Sequence, residues 1–330
     1  MSLIKKPHQI QMQAFIKAML YGQPGSRKST LALSAPAPLL LDFDGGVSRI
    51  DSHHHVDTVQ IQSWQDCLDV LKEDLSSYKT LVIDTAGKML DFMGLWLIQR
   101  NPKLGKANGA LTMQGYGERK AEFNAFLKRV AMMGKHLVFV AHEKVEKDGD
   151  QIIIRPEIGG SSGSDLIKEL DLVGYTQLVG NRNTVSFDPC EKFYGKNTCK
   201  LPALIEITET LRIENDTHGN AVSVPIAPNN QLSGIFEKYQ KGLESRQEMA
   251  ADYADLLNVI ANTVEGVMDA ETANEVSDWA RTFEGHIWDS KMQTALRLKE
   301  RTKELGLTLD GATKKYVAAE PANQKEVANG

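Results

Sequence analysis

The stretch GQPGSRKST, residues 22–30, decides the fold. An apolar segment, 14–22, runs into it, and a helix-like segment, 28–36, follows it. A strand, a glycine-rich turn and a helix in this order point backbone N–H groups and a positive helix end at a phosphate. The spacing predicts that Lys28 reaches the terminal phosphates and that Ser29 binds Mg²⁺. The residues that we predict to surround the phosphates are Gly22, Gln23, Pro24, Gly25, Ser26, Arg27, Lys28, Ser29 and Thr30.

Arg27 departs from the motif G-x-x-x-x-G-K-[ST], which has glycine at that position. Glycine lets the backbone lie close to the phosphates and adds no side chain. Arginine is sterically acceptable in the first turn of a helix if its φ angle stays negative. We therefore predict a negative φ for Arg27, a loop still wrapped around the phosphates, and a side chain directed outward or folded back near them. On this reasoning a positive φ would mark the site as degenerate.

Strand-like and helix-like segments alternate over the first two-thirds of the chain. After the phosphate loop, strands are predicted at 38–44, 56–61, 79–87 and 136–143, and helices at 63–75 and 118–133. This βαβ succession predicts an α/β fold, a mostly parallel sheet between layers of helices.

Polar side chains end three of the predicted strands, namely Asp44, Asp84 and His142. In a parallel α/β sheet the carboxyl ends of the strands face the ligand crevice. Behind a phosphate loop, Asp84 is predicted to bind Mg²⁺ together with Ser29. Asp44 is placed to polarise the water that attacks the γ-phosphate. His142 is placed to touch that phosphate and sense its loss.

The pattern changes after the strand at 136–143. The segment 144–164 is rich in Gly, Ser and charge, which predicts a mobile loop with a small hairpin near Asp148–Gly149. Shorter strands follow between 170 and 208, and a further hairpin is predicted about His218–Asn220. The first domain is therefore predicted to extend over residues 1–234.

Three helix-like blocks, 245–262, 270–286 and 290–305, predict a helical C-terminal region over 235–306. Gly306 suits a helix end. The polar, Ala-rich segment 307–330 is predicted to be a flexible tail.

Composition excludes several classes of protein. The net charge is -5, so any nucleic-acid surface has to be a local patch. The 3 cysteines have no metal-binding spacing, which favours a reduced cytoplasm. No apolar run reaches membrane-spanning length, and no membrane partner is expected. The histidines at 53–55 have no carboxylate spacing that favours a metal site.

Four segments in this order, GQPGSRKST, LLLDFDGGVSR, TLVIDTAG and LVFVAHE, resemble RecA-like P-loop ATPases. The D-x-D-G-G-x-x-R pattern in the second is similar to phage AAA-type ATP-binding proteins related to single-strand annealing recombinases. The resemblance covers about residues 12–210. It implies an ATPase that binds ATP and Mg²⁺ and acts on single-stranded DNA in phage-type recombination, in the cytoplasm of a bacterial host.

The resemblance also implies roles for individual residues. Asp44 takes the place of the glutamate that activates water, and His142 that of a polar sensor, which is commonly glutamine. The loop 145–164 corresponds to the DNA-contacting loop, where Lys144, Lys147 and Arg155 would meet phosphates. YGKNTCKLP resembles a segment whose lysines reach the γ-phosphate of the neighbouring subunit. It implies self-association, with ATP at the subunit interface and Lys196 acting in trans.

Three departures from the family pattern favour slow hydrolysis: Arg27 for glycine, Asp44 for glutamate, and Thr198 for the second lysine of the trans segment. They leave a second interpretation open, a nucleotide-gated switch or helicase-loader-like partner protein with little turnover. A small-molecule kinase fits less well, because the sequence has no Arg-rich lid.

Overall fold

The computed structural model describes residues 3–5, 9–10, 15–149, 151–159 and 162–318. The chain divides into two compact units: Gln13–Gln240 forms the first, and Met1–Met12 with Lys241–Gly330 forms the second. The helix Gln231–Glu265 contributes to both. Within the described part of the chain, no helix has the length and apolar character needed to cross a membrane.

The first unit is an α/β layer structure. Its strands are β1 (Lys17–Gly22), β2 (Pro38–Asp42), β3 (Thr58–Gln60), β4 (Thr80–Asp84), β5 (His136–Asp148), β6 (Gln151–Pro156), β7 (Leu172–Val179), β8 (Arg182–Ser186), β9 (Lys196–Asn197), β10 (Leu204–Glu206), β11 (Leu211–Asn215) and β12 (Ala221–Pro225). Its helices are α1 (Lys28–Ala32), α2 (Trp64–Val70), α3 (Ala86–Arg100), α4 (Met113–Met132), α5 (Ser162–Glu169) and the first turns of α6 (Gln231–Glu265).

The strand order confirms the predicted fold class. The main sheet runs β10-β8-β7-β1-β5-β4-β2-β3, and the pairs from β7 to β3 are all parallel. The edge pairs, β7 with β8 and β8 with β10, are antiparallel. One strand, β5, separates the strand of the phosphate loop from the strand that ends in Asp84. The unit is therefore a RecA-like P-loop core with a mostly parallel sheet.

Alternate residues of the central strands enter two different cores. In β1, Met19 and Tyr21 pack on the face that the residues of α2, α3 and α4 cover. Ala18 and Leu20 pack on the opposite face, with residues of α1 and the start of α6. A strand buried on both faces reads as an unbroken apolar run, which is why these strands could be recognised in the sequence.

The prediction of a mobile loop from residue 144 was wrong for its first part. β5 runs from His136 to Asp148 and pairs antiparallel with β6, with Lys144 opposite Arg155 and Asp148 opposite Gln151. The small hairpin predicted near Asp148–Gly149 is confirmed.

Two helices were missing from the sequence interpretation. α3 follows Asp84 almost at once, because Thr85 caps it by accepting a hydrogen bond from the backbone N–H of Lys88. It presents only a weak polar face, so no helical period was apparent in its sequence. α5 begins at Ser162, inside the segment assigned to the mobile loop.

The second unit is built from helices and one short hairpin. After α6 come α7 (Ala270–Thr282), α8 (Ser290–Glu304), β13 (Leu307–Leu309) and β14 (Tyr316–Ala318). Buried side chains of all three helices form its core, including Ile260, Val276 and Leu298. The three predicted helical blocks are thus present, and Gly306 has the positive φ of a helix end, 67°. Within the predicted flexible tail, β13 pairs with β14, and residues 319–330 lie outside the described part.

His136 makes the stability of the first unit depend on pH. The side chain is buried against Phe236, and its Nδ1 accepts the backbone N–H of Ile16 at 3.0 Å. Burial lowers its pKa from the usual 6.5 to about 4. The folded state therefore keeps the imidazole neutral, and the unfolded state binds more protons between these two pKa values. The stability that His136 contributes is complete above pH 6.5 and is lost as the pH falls toward 4.

We expect the free energy of unfolding to fall by about 2–3 kcal/mol between pH 7.5 and 4.5 through His136 alone. Urea denaturation at the two pH values measures the total change. The control is His136→Asn, whose side-chain oxygen can still accept the Ile16 N–H but does not titrate. The difference between the stability losses of wild type and variant gives the contribution of His136. If both proteins lost the same stability between the two pH values, the lowered pKa of His136 would be contradicted.

Candidate nucleotide-binding site

The phosphate loop begins at Gly22, the last residue of β1 that pairs with β7. Gly22 pairs with Thr176, and a Cβ atom on Gly22 would lie 2.1 Å from the Thr176 carbonyl oxygen. Gly25, in the middle of the loop, has a φ of 79°. Glycine is required at the first position by the close approach of two backbones and at the second by the left-handed turn. Together they allow the loop to leave the sheet and turn back toward α1.

Polar contacts inside the loop fix its shape. The Ser26 hydroxyl donates to the Gln23 carbonyl at 2.7 Å and lies 2.7 Å from the Thr176 hydroxyl. Lys28 is only 6% exposed, and its Nζ donates to the same Gln23 carbonyl at 2.6 Å. Burial lowers the pKa of Lys28, and the nearby carboxylates of Asp84 and Glu143 oppose that shift. A lysine folded across its own loop is placed to hold a phosphate group there.

Arg27 adopts a left-handed conformation, φ 61° and ψ 25°, so the predicted negative φ was wrong. The residue directly precedes α1, and the chain must turn there to bring the first N–H groups of the helix toward the loop. Arg27 lines the cavity, and its Nη2 lies 3.3 Å from Oε1 of Glu209. The loop still lines an open cavity although φ is positive. From the sequence we expected a positive φ to mark a degenerate site.

Because a left-handed non-glycine residue costs about 1 kcal/mol, Arg27→Gly is expected to stabilise the protein by about that amount. The matched control is Lys200→Gly, another exposed residue with a positive φ, 55°, outside the cavity. Both variants should raise the urea midpoint. If Arg27→Gly were less stable than wild type, the backbone strain that we assign to Arg27 would be contradicted.

Ser29 and Asp84 meet at the end of β4. The Ser29 hydroxyl donates to Asp84 Oδ2 at 2.6 Å, and Asp84 is 6% exposed. Burial raises the pKa of Asp84 to about 6, helped by the charges of Asp44 and Asp42 and opposed by the Ser29 hydrogen bond and by Lys28. A buried carboxylate beside other carboxylates, next to a serine hydroxyl, is an oxygen-donor set that suits Mg²⁺. These residues therefore fit the ion that the sequence predicts.

Asp44, Asp84 and His142 all line the same cavity, together with Lys28 and Ser29. Asp44 follows β2, and its neighbour Phe43 donates its backbone N–H to the Asp84 carbonyl at 2.7 Å. His142 lies where β5 leaves the parallel sheet, opposite Gly22 in register. The three predicted strand-end residues are thus brought together with the phosphate loop, as the carboxyl ends of parallel strands require.

Lys196 is not among the residues that line this cavity. Its Nζ donates to the Lys168 carbonyl at 2.9 Å, at the C-terminal end of α5. A cation at this end of a helix interacts favourably with the helix dipole. The role of Lys196 in a neighbouring subunit remains a prediction.

The cavity has a volume of about 550 Å³ and a second wall that the sequence did not reveal. Four of its residues follow Asp44 in the chain, and four come from the hairpin β11–β12 and the residue before it: Arg49, Ile50, Asp51, His54, Thr210, Leu211, Ile213 and Ser223. His54 lies 2.7 Å from the Thr210 hydroxyl, and the Ser223 hydroxyl donates to Asp51 at 2.5 Å. No metal-binding cluster occurs among the residues described, but His54 belongs to the cavity.

The hairpin β5–β6 carries the cations predicted to meet DNA. Lys144 and Arg155 both lie 3.2 Å from the carboxylate of Glu146. Arg155 also stacks over Tyr194 at 5.1 Å. Lys147 lies on the other face of the hairpin, since successive residues of a strand point to opposite sides. Two of the three cations are thus already balanced in part, and DNA contact remains a prediction.

Comparison with known proteins identifies the family of the chain. The family profile described as an AAA domain matches residues 14–199. Among solved structures, the chain is similar to the flagellar accessory protein FlaH from Methanocaldococcus jannaschii, with 11% identity over 64% of this chain and 90% of that one. The TM-score of 0.34 is too low to support a conclusion. No curated protein matches the chain. Because the profile covers more than half of the 330 residues, including the phosphate loop and Asp84, the chain belongs to the AAA domain family of P-loop ATPases.

Proposed function

We propose that the protein is a Mg²⁺-dependent, RecA-like ATPase that handles single-stranded DNA in phage-type recombination. The observation that carries the ATPase assignment is the convergence of Lys28, the Ser29–Asp84 pair, Asp44 and His142 on one cavity of about 550 Å³. That volume is within the range of ligand sites for small molecules and cofactors. Each of these side chains has a separate part in the transfer of a phosphoryl group to water.

The position of each residue in the cavity gives it a separate role in ATP binding or hydrolysis. The loop N–H groups and Lys28 bind the β- and γ-phosphates, and Ser29 and Asp84 would hold Mg²⁺. When bound, the ion supplies positive charge that balances the phosphate oxygens. Asp44 accepts a proton from the attacking water, and His142 contacts the γ-phosphate from the adjacent strand end.

We further propose that ATP lies at a subunit interface and that DNA contacts the hairpin β5–β6 and the segment after it. Lys196, outside its own cavity, would exchange its contact with the Lys168 carbonyl for the cavity of a neighbour in trans. Lys147 and the positive charge of Arg155 supply phosphate contacts on the hairpin. The strand that carries His142 continues without a break into that hairpin, so DNA and nucleotide would act on the same element.

A second candidate function is a nucleotide-gated partner protein with little turnover. It is favoured by the shorter carboxylate at Asp44, by Thr198 in place of a second trans lysine, and by the backbone strain at Arg27. Such a protein would bind ATP through the same residues and change its partner affinity without rapid hydrolysis.

Phosphate release with and without a single-stranded oligonucleotide separates the two functions. The ATPase predicts turnover that DNA stimulates and that Asp44→Asn reduces by about 100-fold or more, since it removes the general base. The control is the exposed acid in Asp252→Asn. Gel filtration with an ATP analogue and the oligonucleotide tests assembly. ATP binding with no turnover under any condition favours the second function, and a monomer throughout would contradict the trans role of Lys196.

A further inference from the structure

The segment DFDGGVSR, residues 42–49, contains an arginine that the proposed function has not used. Asp42 shapes this segment: its two carboxylate oxygens accept the backbone N–H groups of Gly46, at 2.9 Å, and Val47, at 3.1 Å. Gly45 provides the left-handed turn, with a φ of 68°. The short 3₁₀ helix Gly46–Arg49 then brings the Arg49 side chain back beside Asp44.

The two oxygens of Asp44 have different surroundings. Oδ2 accepts a hydrogen bond from Arg49 Nη2 at 2.9 Å. Oδ1 is buried and has no hydrogen-bond partner among the described residues. Oδ1 lies against Gly46, so the 16% of the Asp44 side chain that is exposed belongs to its other atoms. Asp44 lines the cavity, and the donor that the proposed function brings there is a water molecule.

Gly46 keeps this pair in place by its lack of a side chain. A Cβ atom on Gly46 would lie 2.6 Å from Asp44 Oδ1 and 2.9 Å from Arg49 Nη2. Both distances are shorter than real Cβ contacts, so any larger residue would displace the carboxylate, the guanidinium or both. Two glycines, one acid and one arginine therefore cooperate to set the orientation of a single carboxylate.

The charge of Arg49 also meets an electrostatic need. Asp42 pairs with Asp84 in the sheet, and Asp44 lines the same cavity as Asp84, so three acids lie near one another. A bound triphosphate adds further negative charge, which would push the Asp44 carboxylate away from the cavity. A guanidinium on one oxygen opposes that repulsion.

We propose that Arg49 is a positioning residue for ATP hydrolysis: by binding Asp44 Oδ2, it fixes the orientation of the Asp44 carboxylate beside the attacking water. This role rests on the proposed ATPase function. In the step, the water oxygen bonds to the γ-phosphorus and the bond to the β–γ bridging oxygen breaks, giving ADP and phosphate. The proton that the water loses passes to the Asp44 carboxylate and then to the phosphate.

The test compares turnover with nucleotide affinity in Arg49→Ala. We expect kcat to fall about 10- to 100-fold, the effect of misplacing a catalytic group, with ATP affinity within about threefold of wild type. Arg49→Lys keeps the charge and one donor and should restore part of kcat. The matched control is Arg182→Ala: Arg182 is 72% exposed and pairs with Glu206 at 2.8 Å, while Arg49 is 67% exposed.

A double variant decides whether Arg49 acts through Asp44. In the Asp44→Asn background, Arg49→Ala should cause no further loss of kcat, because the group that it positions is already gone. Additive losses, or a large loss of ATP affinity, would show that Arg49 contacts the phosphates itself and would overturn the positioning role. Unchanged kcat in Arg49→Ala would overturn it too. A wild-type protein that binds ATP without turnover would refute the hydrolytic function, and with it this role.

Discussion

Replacing Lys28 with alanine is expected to weaken ATP binding by about 10- to 100-fold. The Lys28 ammonium is buried beside the phosphate loop and donates to the Gln23 carbonyl at 2.6 Å. A hydrogen bond to a charged group contributes about 1.5–3 kcal/mol, and each 1.4 kcal/mol is a factor of ten in affinity. The phosphates carry several negative charges, and the loop N–H groups alone cannot replace the ammonium. Isothermal titration with a non-hydrolysable ATP analogue measures the change directly.

The control for this variant is Lys72→Ala, which removes an exposed lysine paired with Asp69 outside the cavity. It should bind the analogue as wild type does. Lys28→Ala should keep its urea midpoint, since the truncation removes a charge that burial already disfavours. A Lys28→Ala protein that is folded and binds ATP as tightly as wild type would refute the nucleotide site.

Gly22→Ala is expected to destabilise the protein by about 3 kcal/mol, the largest stability effect that we predict for a single methyl group. The added Cβ atom would lie 2.1 Å from the Thr176 carbonyl oxygen, in a backbone conformation with a φ of 152°. Neither backbone can move without loss of the β1–β7 pairing that supports the phosphate loop. Urea denaturation followed by circular dichroism gives the change in the free energy of unfolding.

Gly117→Ala is the control for this second variant, because a Cβ atom on Gly117 meets no other atom within 4 Å. Gly117 lies inside α4, where alanine is favoured over glycine by about 0.5–1 kcal/mol, so this variant should be stabilised. If Gly22→Ala were as stable as wild type, the contact of the phosphate loop with β7 would have to be looser than described.

The sequence alone predicted those elements that a short stretch of residues is enough to identify. Apolar runs buried on both faces indicated β1, β2, β4 and the first half of β5, and the spacing of Lys28 and Ser29 indicated the phosphate loop. Asp84, Asp44 and His142 could be placed because the strand ends of a parallel sheet share one edge. Each of these inferences needs only a short window of sequence and one rule of sheet geometry.

The predictions from the sequence that were wrong, or that could not be made, have physical explanations. The rule that non-glycine residues avoid positive φ failed at Arg27, because the loop geometry outweighs about 1 kcal/mol of strain. The hairpin β5–β6 was taken for a loop, because β5 beyond His142 carries as much charge as a loop does. The second wall of the cavity could not be predicted, because nothing local relates Thr210 to His54 or Ser223 to Asp51.

The second wall of the cavity is completed later in synthesis than the phosphate loop. Three polar contacts join residues 209–223 to the N-terminal part of the chain: Arg27 with Glu209, His54 with Thr210, and Asp51 with Ser223, separated by 182, 156 and 172 residues. Ribosomes add about 5–20 residues per second, and folding during synthesis begins at the N-terminal part of the chain. The phosphate loop therefore leaves the ribosome many seconds before its opposite wall exists. A nascent chain has the motif early but acquires the complete cavity only once Ser223 has emerged.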